Sequence, residues 1–261
     1  MNTFLSSRKV LQITKISVNR LSCAITVSNF VHQVECDLSG MAEINFLRIV
    51  SMPFDENTYV LYKEGLTSCV VVDPGLEPEK IVEVLQEKKL EVAAILNTHG
   101  HSDHIAGNAT IKELAPSAPL VIGWGDAEKL TDPDKNLSAP FGLPFVSPQE
   151  DITVKEADVY HAAEIDFEVR ETPGHSKGHV VFIVRDGDRT IVLGGDVLFK
   201  GSVGRSDFPD GSFADLKRSI EEKLFTLPTD SVVLPGHGPA TTVGEEIESN
   251  PFVGRAAGYR G

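Results

Sequence analysis

A run of metal-ligating residue types lies between Thr98 and His104, where the sequence reads Thr-His-Gly-His-Ser-Asp-His. Imidazoles and carboxylates are the protein ligands of Zn, Fe and Mn ions. His99 and His101 are two positions apart and project the same way in extended backbone, whereas Asp103 and His104 are adjacent and project differently. The loop is therefore predicted to offer two ligands to one metal ion and two to a neighbouring ion.

Three further ligand types, His175, Asp196 and His237, follow beside glycines at the ends of predicted strands. Together the five histidines and two aspartates give seven ligands, too many for one tetrahedral ion and suitable for two ions that share a ligand. Asp196 is predicted to bridge the ions, and Asp103 and Asp196 are the predicted catalytic carboxylates. The remaining ligands are assigned to the first ion as His99, His101 and His175, and to the second ion as Asp103, His104 and His237.

Two more polar residues lie close to these loops in the sequence. Asp73 ends a predicted strand and is expected to hold the free N–H of a ligating histidine, which metal-bound histidines usually require. His179 begins a strand just after the His175 loop and is expected to orient ligands or to contact substrate. The alternative for both residues is an ordinary hydrogen-bonded polar strand end.

The elements around the ligands alternate between strands and helices. The apolar run 92–96 predicts a buried strand before the Thr98 loop and 105–114 predicts a helix after it, so the loop lies at the carboxyl end of a strand, where α/β sheets bind ligands. Further strands are predicted at 44–50, 57–62, 68–72, 119–122, 165–171, 179–184, 190–193 and 231–234, and helices at 78–90, 125–130 and 213–225. The segment 131–148 is rich in Pro, Asp and Ser and is predicted to be a long loop that acts as a functional lid.

Composition separates a short N-terminal segment from one large domain. Residues 1–40 hold four basic and two acidic residues and are predicted to be a weakly ordered extension, with a transit peptide as the alternative; residues 41–261 are the predicted domain. The net charge of −14 disfavours nucleic acid and anionic membranes as partners. The three cysteines are scattered and lie away from the histidine motifs, which predicts a reducing, cytoplasmic location and no thiolate ligands.

The motif Thr98–His104, with His175, Asp196 and His237 in the same order downstream, resembles the metallo-β-lactamase superfamily over residues 43 to 250. The resemblance implies an α+β fold, an αββα sandwich of two mixed sheets with helices outside and the metals at one edge between the sheets. The segments 172–179, 195–199 and 201–205 are similar to glyoxalase II-type hydrolases, which implies a basic substrate-binding residue near Arg205. A solvated loop charge is the alternative for Arg205.

These observations predict a dinuclear metal-dependent hydrolase of small-molecule thioesters, similar to short hydroxyacylglutathione hydrolases. Two divalent ions are expected, with Zn preferred to Fe or Mn. They lower the pKa of a bridging water so that the resulting hydroxide attacks a carbonyl. No separate general acid stands out in the sequence, which favours a thiolate leaving group because a thiolate can depart unprotonated. Full-length glyoxalase II resembles this sequence but carries a C-terminal helical domain that helps to hold glutathione. Only 24 residues follow His237 here, which is too few for such a domain.

Other functions stay open at this point. His99, His175 and Asp196 alone form the two-histidine, one-carboxylate set of mononuclear Fe(II) oxygenases, and persulfide dioxygenases resemble this family. Ester or lactone hydrolysis on the same fold is a second alternative. A β-lactamase is disfavoured because class B enzymes lack the bridging aspartate, and a non-catalytic metal-binding domain is disfavoured by the complete set of seven ligands. The sequence gives no oligomeric state.

Overall fold

Two β-sheets pack face to face in this computed structural model, which describes Thr14–Lys15 and residues 44–261. The first sheet has the strand order β1 (Thr14–Lys15), β2 (Ile44–Ser51), β3 (Glu56–Lys63), β4 (Ser68–Val72), β5 (Glu91–Asn97), β6 (Leu120–Gly123) and β7 (Ile152–Val154). The second has the order β15 (Thr241–Thr242), β14 (Val232–Pro235), β11 (Arg189–Gly195), β10 (Val180–Asp186), β9 (Ile165–Glu171) and β8 (Val159–Ala162), and a separate hairpin joins β12 (Leu198–Phe199) to β13 (Ser202–Val203). The prediction for residues 1–40 lies outside the described residues, apart from the pair Thr14–Lys15.

The helices cover the outer faces of the sheets. They are α1 (Pro78–Lys88), α2 (Ser102–Ile105), α3 (Asn108–Leu114), α4 (Phe213–Ser219), which continues as a π-helical turn at Ile220–Leu224, and α5 (Val243–Ser249), with 3₁₀ turns at Ala127–Thr131 and Arg255–Ala257. One apolar cluster fills the space between the sheets, and one more lies between each sheet and its helices. This four-layer arrangement confirms the predicted αββα sandwich.

Both sheets mix parallel and antiparallel pairs, and the parallel pairs carry the polar loops. Strand β5 lies between β4 and β6, parallel to both, and β11 is parallel to β14. Parallel neighbours end at the same edge of a sheet, so the loops after β4, β5, β11 and β14 gather at one edge between the two sheets. This topology brings together segments that are up to 164 residues apart, from Asp73 to His237.

The secondary structure differs from the sequence prediction in several places, among them the helix after the Thr98 loop and a number of short strands. The predicted helix 105–114 is divided into α2 and α3, because the N–H of Gly107 bonds the carbonyl of Pro74 at 2.8 Å and so leaves the helical ladder. Strands β7 and β8 were not predicted. Both are short and mostly exposed edge strands with one neighbour each, so their sequences show little alternation of apolar and polar residues. None of the helices within the described ranges has the length and apolarity that crossing a bilayer requires.

Candidate metal centre

The loop after β5 is held by a buried aspartate at the end of β4. The carboxylate of Asp73 accepts hydrogen bonds from the backbone N–H of Thr98 at 2.8 Å and from its hydroxyl at 2.7 Å. The same carboxylate lies 3.1 Å from His104 Nδ1. Asp73 therefore orients His104 with Nε2 directed away from it, which is the arrangement predicted for a residue that supports a ligating histidine.

The seven predicted ligands converge at the sheet edge in overlapping groups. The first cluster consists of His99, His101 and His175, and the second cluster consists of Asp103, His104 and His237. Within each cluster the candidate ligand atoms all lie within 4.8 Å of one another, and a third such group joins His99, His104 and Asp196. The grouping matches the two ligand sets assigned from the sequence.

Asp196 lies between the two clusters. Its Oδ2 is 3.5 Å from the Nε2 atoms of both His175 and His237, and its Oδ1 is 3.4 Å from His104 Nε2. Oδ1 is buried and has no hydrogen-bond partner among the described residues. A buried carboxylate oxygen without a hydrogen bond is costly unless a cation or water satisfies it, so this residue fits a ligand shared by two divalent ions.

The His237 loop belongs to the second sheet and is attached to the first sheet by strand β3. Asn57 donates its backbone N–H to the carbonyl of Gly236 at 2.7 Å, and the Tyr59 hydroxyl donates to the carbonyl of Pro235 at 2.9 Å. Gly236 packs against Asp196 and His104, and a Cβ atom at this position would overlap the Asp196 carboxylate. The glycine therefore permits the close approach that brings His237 to the second cluster.

His179 is fully buried beside the first cluster. Its Nε2 accepts the backbone N–H of Asp196 at 3.1 Å, so the ring proton lies on Nδ1, which donates to the hydroxyl of Thr172 at 2.9 Å. Its ring stacks on that of His99 with a centroid distance of 5.0 Å. Both nitrogens are thus engaged, which favours the predicted role in orienting ligands over a direct contact with substrate.

Arg205 lies at the rim of the first cluster. Its carbonyl accepts the Nδ1–H of His175 at 2.7 Å, while its exposed guanidinium pairs with Asp207 and lies 4.5 Å from the centre of the Phe208 ring. The Phe208 ring in turn contacts His101 at a centroid distance of 5.1 Å. The backbone of Arg205 therefore positions a candidate ligand, and its side chain is placed where a substrate could reach it.

The sequence analysis missed a buried aspartate that ties two ligand loops together. Asp126 accepts the backbone N–H groups of Gly100 at 2.9 Å and Gly178 at 2.7 Å, and the Ser176 hydroxyl at 2.7 Å. It thereby holds the His99–His101 segment against the His175 loop. In the sequence, an aspartate at the start of a short predicted helix is typical of a helix cap, so no local signal pointed to this role.

Sequence analysis also missed Lys129, which lies in the 3₁₀ turn Ala127–Thr131, three residues after Asp126. Its side chain is 5% exposed, and its Nζ lies 2.7 Å from the Asp210 carboxylate and 3.5 Å from His101 Nε2. A lysine directly after a glutamate in the sequence suggests a solvated surface charge. Its burial depends on the fold that brings the Asp210 loop over it.

The histidine pKa values shift in opposite directions in the two clusters. Burial lowers the pKa values of His99, His101 and His175, and neighbouring histidines lower those of His99 and His101 further. Burial also opposes charge on His104 and His237, but the Asp196 and Asp103 carboxylates outweigh it and raise the pKa values of both rings. Burial opposes charge on Asp196 as well, and His104 and His237 nevertheless hold its pKa far below the usual range.

A family model described as the metallo-beta-lactamase superfamily matches residues 52–237. Among curated relatives, the hydroxyacylglutathione hydrolase GloC of Haemophilus influenzae is 33% identical over 206 residues, covering 77% of this chain and 93% of that protein. The probable metallo-hydrolase YqgX of Bacillus subtilis is 37% identical over 202 residues, covering 77% of this chain and 93% of that protein.

Solved structures of the same fold align with most of the chain. The B3 metallo-beta-lactamase BLEG-1 is 34% identical with a TM-score of 0.75, covering 80% of this chain and 99% of that one. TTHA1623 in a di-iron-bound form is 34% identical with a TM-score of 0.68, covering 78% and 98%, and ETHE1 from Myxococcus xanthus is 26% identical with a TM-score of 0.66, covering 82% and 85%. The chain therefore belongs to the metallo-β-lactamase superfamily and is a metal-dependent hydrolase of that fold.

Proposed function

We propose that this protein is a dinuclear metal-dependent hydrolase of small-molecule thioesters, of the hydroxyacylglutathione type. The observation that carries the dinuclear part is the position of Asp196, whose carboxylate lies within 3.5 Å of His175 in the first cluster and of His104 and His237 in the second. A mononuclear centre in the first cluster would leave Asp103 and His237, which lie 3.3 Å apart, without a shared cation.

The first cluster would hold one divalent ion, the second cluster would hold the other, and Asp196 would be shared. Imidazole and carboxylate ligands suit Zn, Fe or Mn, and we propose Zn as the first to be tested. When bound, such a pair of ions supplies an activated water and polarises a carbonyl group. The surrounding protein keeps the ligands oriented: Asp73 holds His104, the Arg205 carbonyl holds His175, and His179 holds the backbone of Asp196.

The leaving group is inferred from the groups next to the clusters. Three titratable side chains that border the ligands are already engaged: Lys129 with Asp210, Arg205 with Asp207, and His179 in two hydrogen bonds. A thiol has a pKa of about 8.5 and can leave as a thiolate, whereas an amine needs a proton donor. This favours thioesters over amides, in agreement with the name of the relative from Haemophilus influenzae.

Metal analysis combined with a substrate panel tests the proposal. The purified full-length protein is assayed for metal content and for hydrolysis of S-D-lactoylglutathione, other acyl thioesters, activated esters, lactones and a chromogenic β-lactam. We expect two metals per chain and the highest kcat/KM on a thioester. Two metals with preferential turnover of a lactone, ester or β-lactam would contradict the proposed thioester substrate but would support the dinuclear metal centre.

A mononuclear Fe(II) persulfide dioxygenase is the second candidate, favoured by the similarity to ETHE1. The two functions differ in oxygen use, because a dioxygenase consumes O₂ and a hydrolase does not. The protein is therefore loaded anaerobically with Fe²⁺ and assayed for O₂ uptake with glutathione persulfide. One iron per chain with stoichiometric O₂ uptake would overturn the hydrolase proposal.

We propose a small molecule as the only substrate class, with no nucleic-acid or membrane partner. The net charge of −14 supports this, because it opposes association with polyanions. Glutathione as the thiol part is tested in the same panel, by comparing thioesters of glutathione with those of an uncharged thiol.

A further inference from the structure

The five candidate histidine ligands differ in what faces the ring nitrogen that points away from the clusters. Four of them have an oxygen atom within hydrogen-bond distance of that nitrogen. The pairs are His99 with the Thr98 hydroxyl at 3.1 Å, His104 with Asp73 at 3.1 Å, His175 with the Arg205 carbonyl at 2.7 Å and His237 with the Phe54 carbonyl at 2.9 Å. The fifth, His101, has the ammonium of Lys129 at 3.5 Å from its Nε2.

His101 directs its other nitrogen into the first cluster. Its Nδ1 lies 2.8 Å from His175 Nε2, which is the candidate ligand atom of that ring. When Nδ1 of a neutral imidazole binds a cation, the ring proton is on Nε2 and needs an acceptor. The ammonium of Lys129 has donors only, so it opposes this state and favours the tautomer with the proton on Nδ1.

Lys129 is held in this position by two carboxylates. Its Nζ lies 2.7 Å from Asp210 and 3.4 Å from Asp126, and its side chain is 5% exposed. Asp126 is fixed by its bonds to the ligand loops, and Asp210 also accepts the backbone N–H of Lys177 at 3.1 Å. The positive charge therefore has little freedom to turn away from His101.

The geometry points to Lys129 as a positioning residue that weakens cation binding by the first cluster, acting through His101. This inference rests on the proposed metal centre and adds a property that the seven ligands do not predict. An imidazole whose distal N–H lacks an acceptor is a poorer donor, and a nearby positive charge repels a second cation. The first cluster thus leaves more of a bound ion's charge available to polarise a substrate.

The test measures Zn²⁺ affinity by competition with a chromophoric chelator, in the full-length protein with His237→Ala to disable the second cluster. Lys129→Gln supplies an acceptor in place of the ammonium, and we expect the affinity to rise about tenfold, the scale of changes in the groups that orient metal ligands. Asp210→Asn removes a negative charge and should lower the affinity. Co²⁺ absorption spectra report whether histidine coordination is retained in each variant.

A matched control separates this effect from a general change of charge. Lys112→Gln removes a lysine that pairs with Asp151 at 2.8 Å and does not contact either cluster, so it should leave the affinity unchanged. An unchanged or reduced affinity in Lys129→Gln would overturn the inference, because damage to packing weakens a site and does not strengthen it. If Lys129→Gln does not fold, Lys129→Met takes its place, since it removes the ammonium with a side chain of similar length; a rise in affinity is expected there too, and its absence would overturn the inference.

The two proposals fail in different ways. No zinc binding in the His237→Ala protein, with Lys129 present or replaced, would contradict the metal centre itself. Zinc binding of equal strength with Lys129 and with glutamine would contradict only the role given to Lys129.

Discussion

The first and second clusters each take two ligands from the same loop and yet differ in charge. The first cluster has three imidazoles that are almost fully buried, with the ammonium of Lys129 behind one of them. The second cluster includes the Asp103 carboxylate, and the side chains of Asp103 and His237 are 20% and 23% exposed. A cation therefore meets neutral ligands in the first cluster and a partly negative, more accessible set in the second.

This difference shows how position in the fold sets the chemistry of identical side chains. His99 and His104 are five residues apart in the sequence, and burial disfavours the charged form of both imidazoles. The ring of His104 lies among the carboxylates of Asp73, Asp103 and Asp196, whereas His99 lies among other histidines. Protons consequently compete with metal more strongly at the second cluster than at the first.

Replacement of Asp196 removes the group that the clusters share and should have the largest effect. We expect Asp196→Ala to lower kcat/KM by at least about 10²- to 10³-fold, the scale of losing one main electrostatic group, and to lower the metal content. Asp166→Ala removes a carboxylate that is 75% exposed and serves as the control. Full activity of Asp196→Ala with one metal bound would show that no shared ligand is needed.

Replacement of Asp73 should lower the metal affinity of the second cluster more than that of the first. Asp73→Asn keeps the size of the side chain but weakens its bonds to Thr98 and to His104 Nδ1. We expect the second metal to bind about 10- to 100-fold more weakly, as for other groups that orient metal ligands, with the first metal much less affected. Stepwise chelator titration measures both affinities, and an equal loss at the two sites would mean that Asp73 supports the whole loop.

The ligand loops could be predicted from the sequence because their chemistry is local. The spacing of His99, His101 and Asp103 predicted the division between two ions, and glycine beside His237 predicted a close approach; the grouping of side chains in the structure agrees with that division. The layers of the fold followed from the resemblance that the same motif carries.

The supporting groups could not be predicted, because their roles depend on distant segments. Asp126 bonds residues 26 and 52 positions away, and Lys129 meets Asp210 across 81 positions. Nothing in the residues around them distinguishes a buried polar side chain from an exposed one. Likewise, the break between α2 and α3 arises from a bond between Gly107 and Pro74 that no helical pattern records.

Acidification should sharpen the difference between the clusters. The raised pKa values of His104 and His237 mean that protons occupy these rings first as the pH falls, while the lowered values of His99, His101 and His175 keep those rings neutral. Each competing proton lowers the metal affinity up to about tenfold per pH unit. Dialysis at decreasing pH, followed by metal analysis, should show a step from two metals to one before the last is lost.

Replacement of the Arg205 side chain should have the smallest effect, because only its carbonyl holds a candidate ligand. Arg205→Ala keeps that carbonyl, so we expect an unchanged metal content and an increase in KM of about 2- to 5-fold for an anionic thioester, the scale of one exposed ion pair. Arg218→Ala is the control, since Arg218 is similarly exposed and pairs with Asp215. Steady-state kinetics on charged and uncharged thioesters measure the effect. An increase in KM confined to the anionic substrate would indicate a direct contact with Arg205. Loss of metal would instead show that the side chain also holds the His175 loop in place.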